Sequence, residues 1–250
     1  MSDFDALLDE AAVVPLDGWD FSWFAGRATE QRPSWGYADL VAERLTQADA
    51  ALDVETGGGE VFAYAIAKAG RPGIIAATES WSPNLALARN ALGPCVVAAA
   101  DEPTLPFRDC AFDLVVSRHP VHTLWAETAR VLRPGGIFLS QQIGAGSNRE
   151  LSEAMMGPLP PPARQHPEQI AAAAAAAGFE ILRVRGERLR VEFYDIAAVA
   201  HFLRKVIWTV PGFSIGRHRD RLRAVHEEIT VAGRFVSHAT RVLIEARRRD

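Results

Sequence analysis

Three acidic residues, Asp53, Glu79 and Asp101, stand 26 and 22 positions apart, each closing a short apolar run. Ionised carboxylates only accept hydrogen bonds, so acids at such places suit hydroxyl and amino donors on a ligand. Glu79, behind Ile74 to Thr78, is placed to accept from the two hydroxyls of a ribose. Asp101, behind Cys95 to Ala99 and with Glu102 as its substitute, can accept the amino hydrogens of adenine. Behind Asp53 runs Val54-Glu55-Thr56-Gly57-Gly58-Gly59-Glu60, and glycines at a strand-to-helix turn let the backbone approach a ligand closely. A glycine-rich turn alone does not separate this reading from a dinucleotide site. The three acidic stations do more, because each falls at the carboxyl end of a successive strand, where open α/β sheets bind ligands.

A second group of reactive residues follows a fourth apolar run: Ser117-Arg118-His119-Pro120-Val121-His122. Imidazole titrates near neutral pH, so His119 is a candidate general base. A histidine capping the next helix accounts for the same residue. Arg118 can clamp an acidic group of a substrate or pair with a surface acid. His122 reads as structural. Trp81 can lie against a nucleobase or staple the start of a helix. Asp113 reads as a turn or packing acid.

The elements that must carry these residues alternate. Strands are expected at Ala51–Val54, Ile74–Thr78, Cys95–Ala99, Phe112–Ser117, Ile137–Ile143 and Phe179–Arg190, with a last strand at Ala239–Ala246. Between them, Val61, Phe62, Ala65, Ile66 and Ala69 keep helical spacing, Pro83 opens a second helix, and Pro120 is expected to begin a third. Strands alternating with helices imply a mostly parallel sheet covered on both faces. Gly144 to Pro162 reads as a mobile loop. The alanine run after Pro167 reads as a plain helix, since alanine has the best helix propensity. Asp195 is expected to cap an amphipathic helix carrying Ile196, Val199, Leu203 and Val206 on one face. A further helix is expected from about His218 to Val231.

The 250 residues suit one large α/β domain. Its parts are an N-terminal helical cap (1–48), a cofactor-binding half (49–143) and a substrate-side half (144–250). A helical insertion at 194–231 should cover the active site together with the cap. Net charge is −4, so no global basic field attracts nucleic acid, and the basic run from Arg217 to Arg223 reads as a solvated helix face. The longest apolar run, Ile170 to Ala177, is far short of the roughly 20 residues of a membrane span, and residues 1–10 lack the pattern of a signal peptide. No membrane partner and a cytoplasmic location are expected. Cys95 and Cys110 form no disulfide framework and have no ligand-spaced partners, so no metal is expected.

On these motifs the segment from Leu52 to Ile143 resembles the class I, Rossmann-like S-adenosylmethionine-dependent methyltransferases. It carries their acid-glycine turn, Asp53 to Gly59, their ribose acid, Glu79, and their adenine acid, Asp101. It also carries Leu105-Pro106-Phe107 with Phe112-Asp113-Leu114-Val115, and the turn Val131-Leu132-Arg133-Pro134-Gly135-Gly136. Trp208 to Phe213, before a basic helix, is similar to uncharacterised bacterial members of that family. The resemblance implies a seven-stranded sheet in the order 3-2-1-4-5-7-6, with the last strand antiparallel. It implies S-adenosylmethionine as cofactor, held by Asp53, Glu55, Thr56, Gly57, Gly59, Glu79, Trp81, Asp101, Glu102 and Ser117. His119 and Arg118 would then face the acceptor. Glu55 stands where the family usually has its first glycine, and can either crowd the methionine end or hydrogen-bond its amino group. The acceptor expected is a small molecule, of unidentified structure. An RNA or protein substrate, or a catalytically silent module that binds the cofactor, are the alternatives. No Asn/Asp-Pro-Pro-Tyr/Phe motif and no cysteine follow the fourth strand, which disfavours the nucleic-acid amino and C5-pyrimidine chemistries that use them.

Overall fold

The computed structural model describes residues 3–16, 21–93, 95–99, 104–163 and 165–250. Two compact units emerge, one of residues 33–144, 164–187 and 241–250, the other of residues 1–32, 145–163 and 188–240.

The first unit is the sheet that the alternating pattern predicts. Its strands include β2 (Ala50–Val54), β3 (Ile74–Thr78), β4 (Val96–Ala98), β5 (Phe112–Arg118) and β6 (Leu132–Ile143). β2 pairs in parallel with both β3 and β5, β3 with β4, and β5 with β6. β8 (Phe235–Arg248) then pairs antiparallel to β6, with Ile137 opposite Arg247 and Ile143 opposite Arg241. With β7 (Phe179–Phe193) beyond it, the sequence β4-β3-β2-β5-β6-β8-β7 is the order the resemblance implies. An eighth strand, β1 (Ala28–Glu30), is added at the far edge. It pairs antiparallel to the end of β7 within the second unit, Ala28 opposite Phe193.

Side chains of a strand alternate between faces, and here both faces are apolar. Ala51, Leu114, Val116, Leu139 and Leu243 pack one way, against Val41 and Leu45 of α2 (Tyr37–Leu45), Phe62 and Ala65 of α3 (Glu60–Ala69), and Ala88 and Leu92 of α4 (Ser82–Leu92). Leu52, Val115, Phe138, Val242 and Ile244 pack the other way, against Val131 of α5 (Trp125–Val131) and Ile170 and Ala174 of α7 (Pro167–Ala176). Small alanines on α3, α4 and α7 let those helices sit close to the sheet.

The second unit has its own core. Phe4 and Leu8 of α1 (Asp3–Val13) join Leu151 and Met155 of α6 (Arg149–Met156), Phe193 at the end of β7, Ile196 and Leu203 of α8 (Ile196–Lys205) and Leu222 and Val225 of α9 (Arg219–Ala232). Asp195 caps α8 as expected, its carboxylate accepting from the Ala198 amide at 2.7 Å.

Three expectations need correction. The segment Gly144 to Pro162 holds helix α6, whose C-terminus is closed by Gly157 at φ 85°. Pro120 does not begin a helix: α5 starts at Trp125, because the turn from His119 to Leu124 is held by bonds described below. The N-terminal segment is not purely helical, since it contributes β1.

Candidate functional site at the carboxyl ends of the strands

β2, β3 and β5 are adjacent and parallel, so Asp53, Glu79 and Ser117 to His119 come to one end of one sheet. Asp53 is buried, and its carboxylate accepts from the Thr56 hydroxyl at 2.6 Å. Burial drives its pKa up to about 7. The Thr56 bond and the Arg118 charge oppose that rise, and the Glu79 charge adds to it. The turn behind it is sharply folded. The Thr56 amide donates to the Thr78 carbonyl at 2.9 Å, and Gly57 and Gly59 adopt φ of 65° and 84°. A Cβ on Gly59 would come within 3.2 Å of the Ala88 Cα and of Leu92, so glycine there serves both the left-handed backbone and the approach of α4.

Glu55 occupies the left-handed region at φ 56°, where a non-glycine residue is disfavoured. Its amide donates to the Thr78 hydroxyl at 3.2 Å, and its carboxylate accepts from the Val121 amide at 2.8 Å. The side chain thus ties the glycine turn to the loop after β5. Glu79 is 7% exposed; its Oε1 accepts from the Trp81 amide at 2.8 Å, while its Oε2 makes no hydrogen bond among the described residues. Trp81 is the N-cap of α4 and the residue is 44% exposed. Ser117 is buried, its hydroxyl donating to the Val54 carbonyl at 2.9 Å, which joins β5 to β2. Asp101 and Glu102 lie outside the described residues. Asp113 is a packing acid, as expected, accepting from the amides of Asp49 and Ala50 and pairing with Arg133 at 3.2 Å.

His119 also has a left-handed backbone, φ 58°, and its amide donates to the Gln141 carbonyl at 2.7 Å. It therefore caps no helix. Its Nε2 is 2.9 Å from Gln141 Nε2, and Gln141 Oε1 in turn accepts from Trp35 Nε1 at 2.7 Å. Burial, then the charges of Arg118 and Arg241, hold the imidazole well below its ordinary pKa. Arg118 is exposed and makes no hydrogen bond or ion pair among the described residues. His122 is exposed in the turn before α5.

Sequence reasoning missed Trp35, Tyr37 and Gln141. The Tyr37 hydroxyl is buried 3.4 Å from the Leu139 carbonyl, and burial, then Asp53, raise its pKa. The available signal was the polar triplet Ser140-Gln141-Gln142 directly after the apolar run Ile137-Phe138-Leu139, all three polar residues being buried.

The glycine turn after β2 and the acid after β3 lie at the carboxyl ends of adjacent parallel strands, the end at which open α/β sheets bind ligands. Residues 52–140 match the methyltransferase domain family. The fold is shared with a candidate methyltransferase of Bacillus halodurans C-125, at 17% identity, TM-score 0.57 and full coverage of both chains. It is shared with a candidate sarcosine dimethylglycine methyltransferase of Galdieria sulphuraria, at 16% identity and TM-score 0.52, covering 100% of this chain and 99% of that one. A Haemonchus contortus phosphoethanolamine N-methyltransferase, bound to phosphomonomethylethanolamine and S-adenosylhomocysteine, is similar at 18% identity and TM-score 0.52. That match covers 86% of this chain and 53% of the other. No curated protein sequence matches the chain significantly. Residues 52–140 therefore form a methyltransferase domain, and the chain shares the Rossmann-like fold of these methyltransferases.

Proposed function

We propose that this chain binds S-adenosylmethionine across the carboxyl ends of β2 and β3 and transfers its methyl group to a small molecule. The observation that carries the reading is the meeting of Asp53, Glu79 and the Ser117–His119 turn on three adjacent parallel strands. The donor set fits the cofactor's chemistry. S-adenosylmethionine carries an ammonium and a sulfonium, and the ionised form of Asp53, which burial disfavours, is the form that a cation beside it would favour. Glu79 Oε2 offers an acceptor for the ribose diol while Oε1 keeps the turn to Trp81. Gly57 and Gly59 hold the backbone back from the methionine end, and Thr56 orients the Asp53 carboxylate.

When bound, the cofactor supplies a methyl group already activated on sulfur, so the protein's work is alignment and exclusion of water. The turn after β5 brings Arg118 and His119 toward the acceptor's approach. Arg118, exposed and outside any ion pair among the described residues, suits an acidic group on that acceptor. The phosphate ligand of the Haemonchus contortus neighbour is compatible with such an acceptor.

The test is calorimetry with S-adenosylmethionine, S-adenosylhomocysteine and NAD, followed by acceptor screening with labelled methyl donor. Binding of the first two and not the third is expected. NAD binding in their place would overturn the reading. Tight binding without transfer to any acceptor would favour the silent module.

A further inference from the structure

Trp35, Gln141 and His119 form a hydrogen-bonded series whose polarity can be worked out one atom at a time. The indole Nε1–H only donates. The atom facing it at 2.7 Å must therefore be the Gln141 carbonyl oxygen, which turns the amide NH₂ toward His119 at 2.9 Å. An NH₂ group only donates, so His119 Nε2 must accept, and the ring proton lies on Nδ1. Gln141 is 3% exposed and Trp35 9%, so water does not readily replace either bond. The Gln141 backbone carbonyl holds the His119 amide as well, at 2.7 Å, and fixes the left-handed turn that presents the ring.

We propose that Gln141 is a positioning residue that locks His119 as the Nδ1–H tautomer, so that the imidazole meets the methyl acceptor as a hydrogen-bond donor and not as its base. This rests on the methyl-transfer reading above. A base would need a lone pair, and the one on Nε2 is occupied by the Gln141 amide. The charged groups facing the ring, Arg118 on β5 and Arg241 on β8, both disfavour a second proton. Nδ1 makes no hydrogen bond among the described residues. The acceptor class that fits brings its own unprotonated nucleophile, together with an oxygen lone pair for Nδ1–H. A neutral alcohol that must lose its proton to His119 does not fit.

The experiment is nitrogen-15 NMR of the histidine rings in the full chain, with His119→Ala assigning the resonance. Wild type is expected to show a neutral Nδ1–H ring from pH 6 to 8. Gln141→Glu replaces the amide donor with an acceptor: the proton should move to Nε2 and the titration midpoint should rise by about one unit or more. Trp35→Phe removes the anchoring donor, frees the amide to rotate and should give a mixture of tautomers. A wild-type ring protonated on Nε2 overturns the proposal, as does an Nδ1–H ring unchanged in both variants. S-adenosylmethionine calorimetry on the same samples keeps the two readings apart. Loss of binding in wild type would sink the methyl-transfer reading, whereas the ring spectra report the series whether or not the cofactor binds.

Discussion

Asp53→Asn should make the ligand-free protein more stable at high pH, and the size follows from where the carboxyl sits. Its pKa is lifted from near 3.8 to about 7, chiefly by burial. An acid whose folded pKa is raised binds its proton more tightly folded than unfolded. Stability is therefore lost as pH climbs from 3.8 to 7, at up to about 1.4 kcal/mol per pH unit. The full penalty, about 4 kcal/mol, is in place above pH 7 and absent below pH 4. Asparagine keeps the shape and an oxygen to accept from Thr56, and it has no charge to desolvate. Urea denaturation of both proteins across this range should give a stability difference that grows in favour of Asp53→Asn as pH rises. The depressed pKa of His119 acts in the opposite sense, costing stability as pH falls below 6.5, but it is common to both proteins and cancels in the difference. The same carboxyl should report on the ligand. A cation bound beside it favours the ionised form, so binding S-adenosylmethionine at pH 6 should release about 0.9 proton, falling to about 0.1 at pH 8. Calorimetry in buffers of different ionisation enthalpy measures this. A stability difference flat with pH, or binding without proton release at pH 6, would refute the account of Asp53.

Glu79→Ala should weaken S-adenosylmethionine binding by about 1–3 kcal/mol, the cost of leaving buried donors unpaired, and unchanged affinity by calorimetry would remove Glu79 from the site. Glu55→Gly relieves about 1–2 kcal/mol of left-handed backbone strain and loses one bond to Val121, worth about 1 kcal/mol. Its stability by urea denaturation should stay within about 1 kcal/mol of wild type and cofactor affinity should hold or tighten; a loss of about tenfold or more would put Glu55 on the methionine end. Gly59→Ala combines φ 84° with contacts of 3.2 Å to α4 and should cost about 2–4 kcal/mol, read from the same denaturation curves.

The parts of the molecule that were legible in the sequence are those where a local pattern and its tertiary partner agree. β2, β3 and β5 are buried on both faces, so continuous apolar runs marked them, and each run ended in a residue that reached the sheet's carboxyl end. β1 left no such mark: its three residues, Ala28-Thr29-Glu30, have no apolar pattern and are a strand only because the end of β7 offers an edge. Helix α6 was concealed by the glycines and prolines on either side, although Leu151 and Met155 are spaced for one face. Pro120 suggested a helix start, but the Glu55 carboxylate holds the Val121 amide and keeps that segment in a turn. The roles of Trp35 and Gln141 depend on a contact across 106 positions, which no window of sequence contains.

The place of β8 between β6 and β7 bears on how the chain is made. Synthesis runs from the N-terminus, and domains begin to form as they emerge. β2 to β6 can pair early, yet β6 must wait about a hundred residues for the neighbour that fills its open edge. Until residues 241–247 leave the ribosome, that edge exposes unpaired amides and carbonyls beside an apolar face, the kind of surface on which nascent chains aggregate. Slow translation through α8 and α9 would lengthen the exposure. Soluble yield should therefore depend on the rate of elongation there, and on chaperones able to hold a half-built sheet.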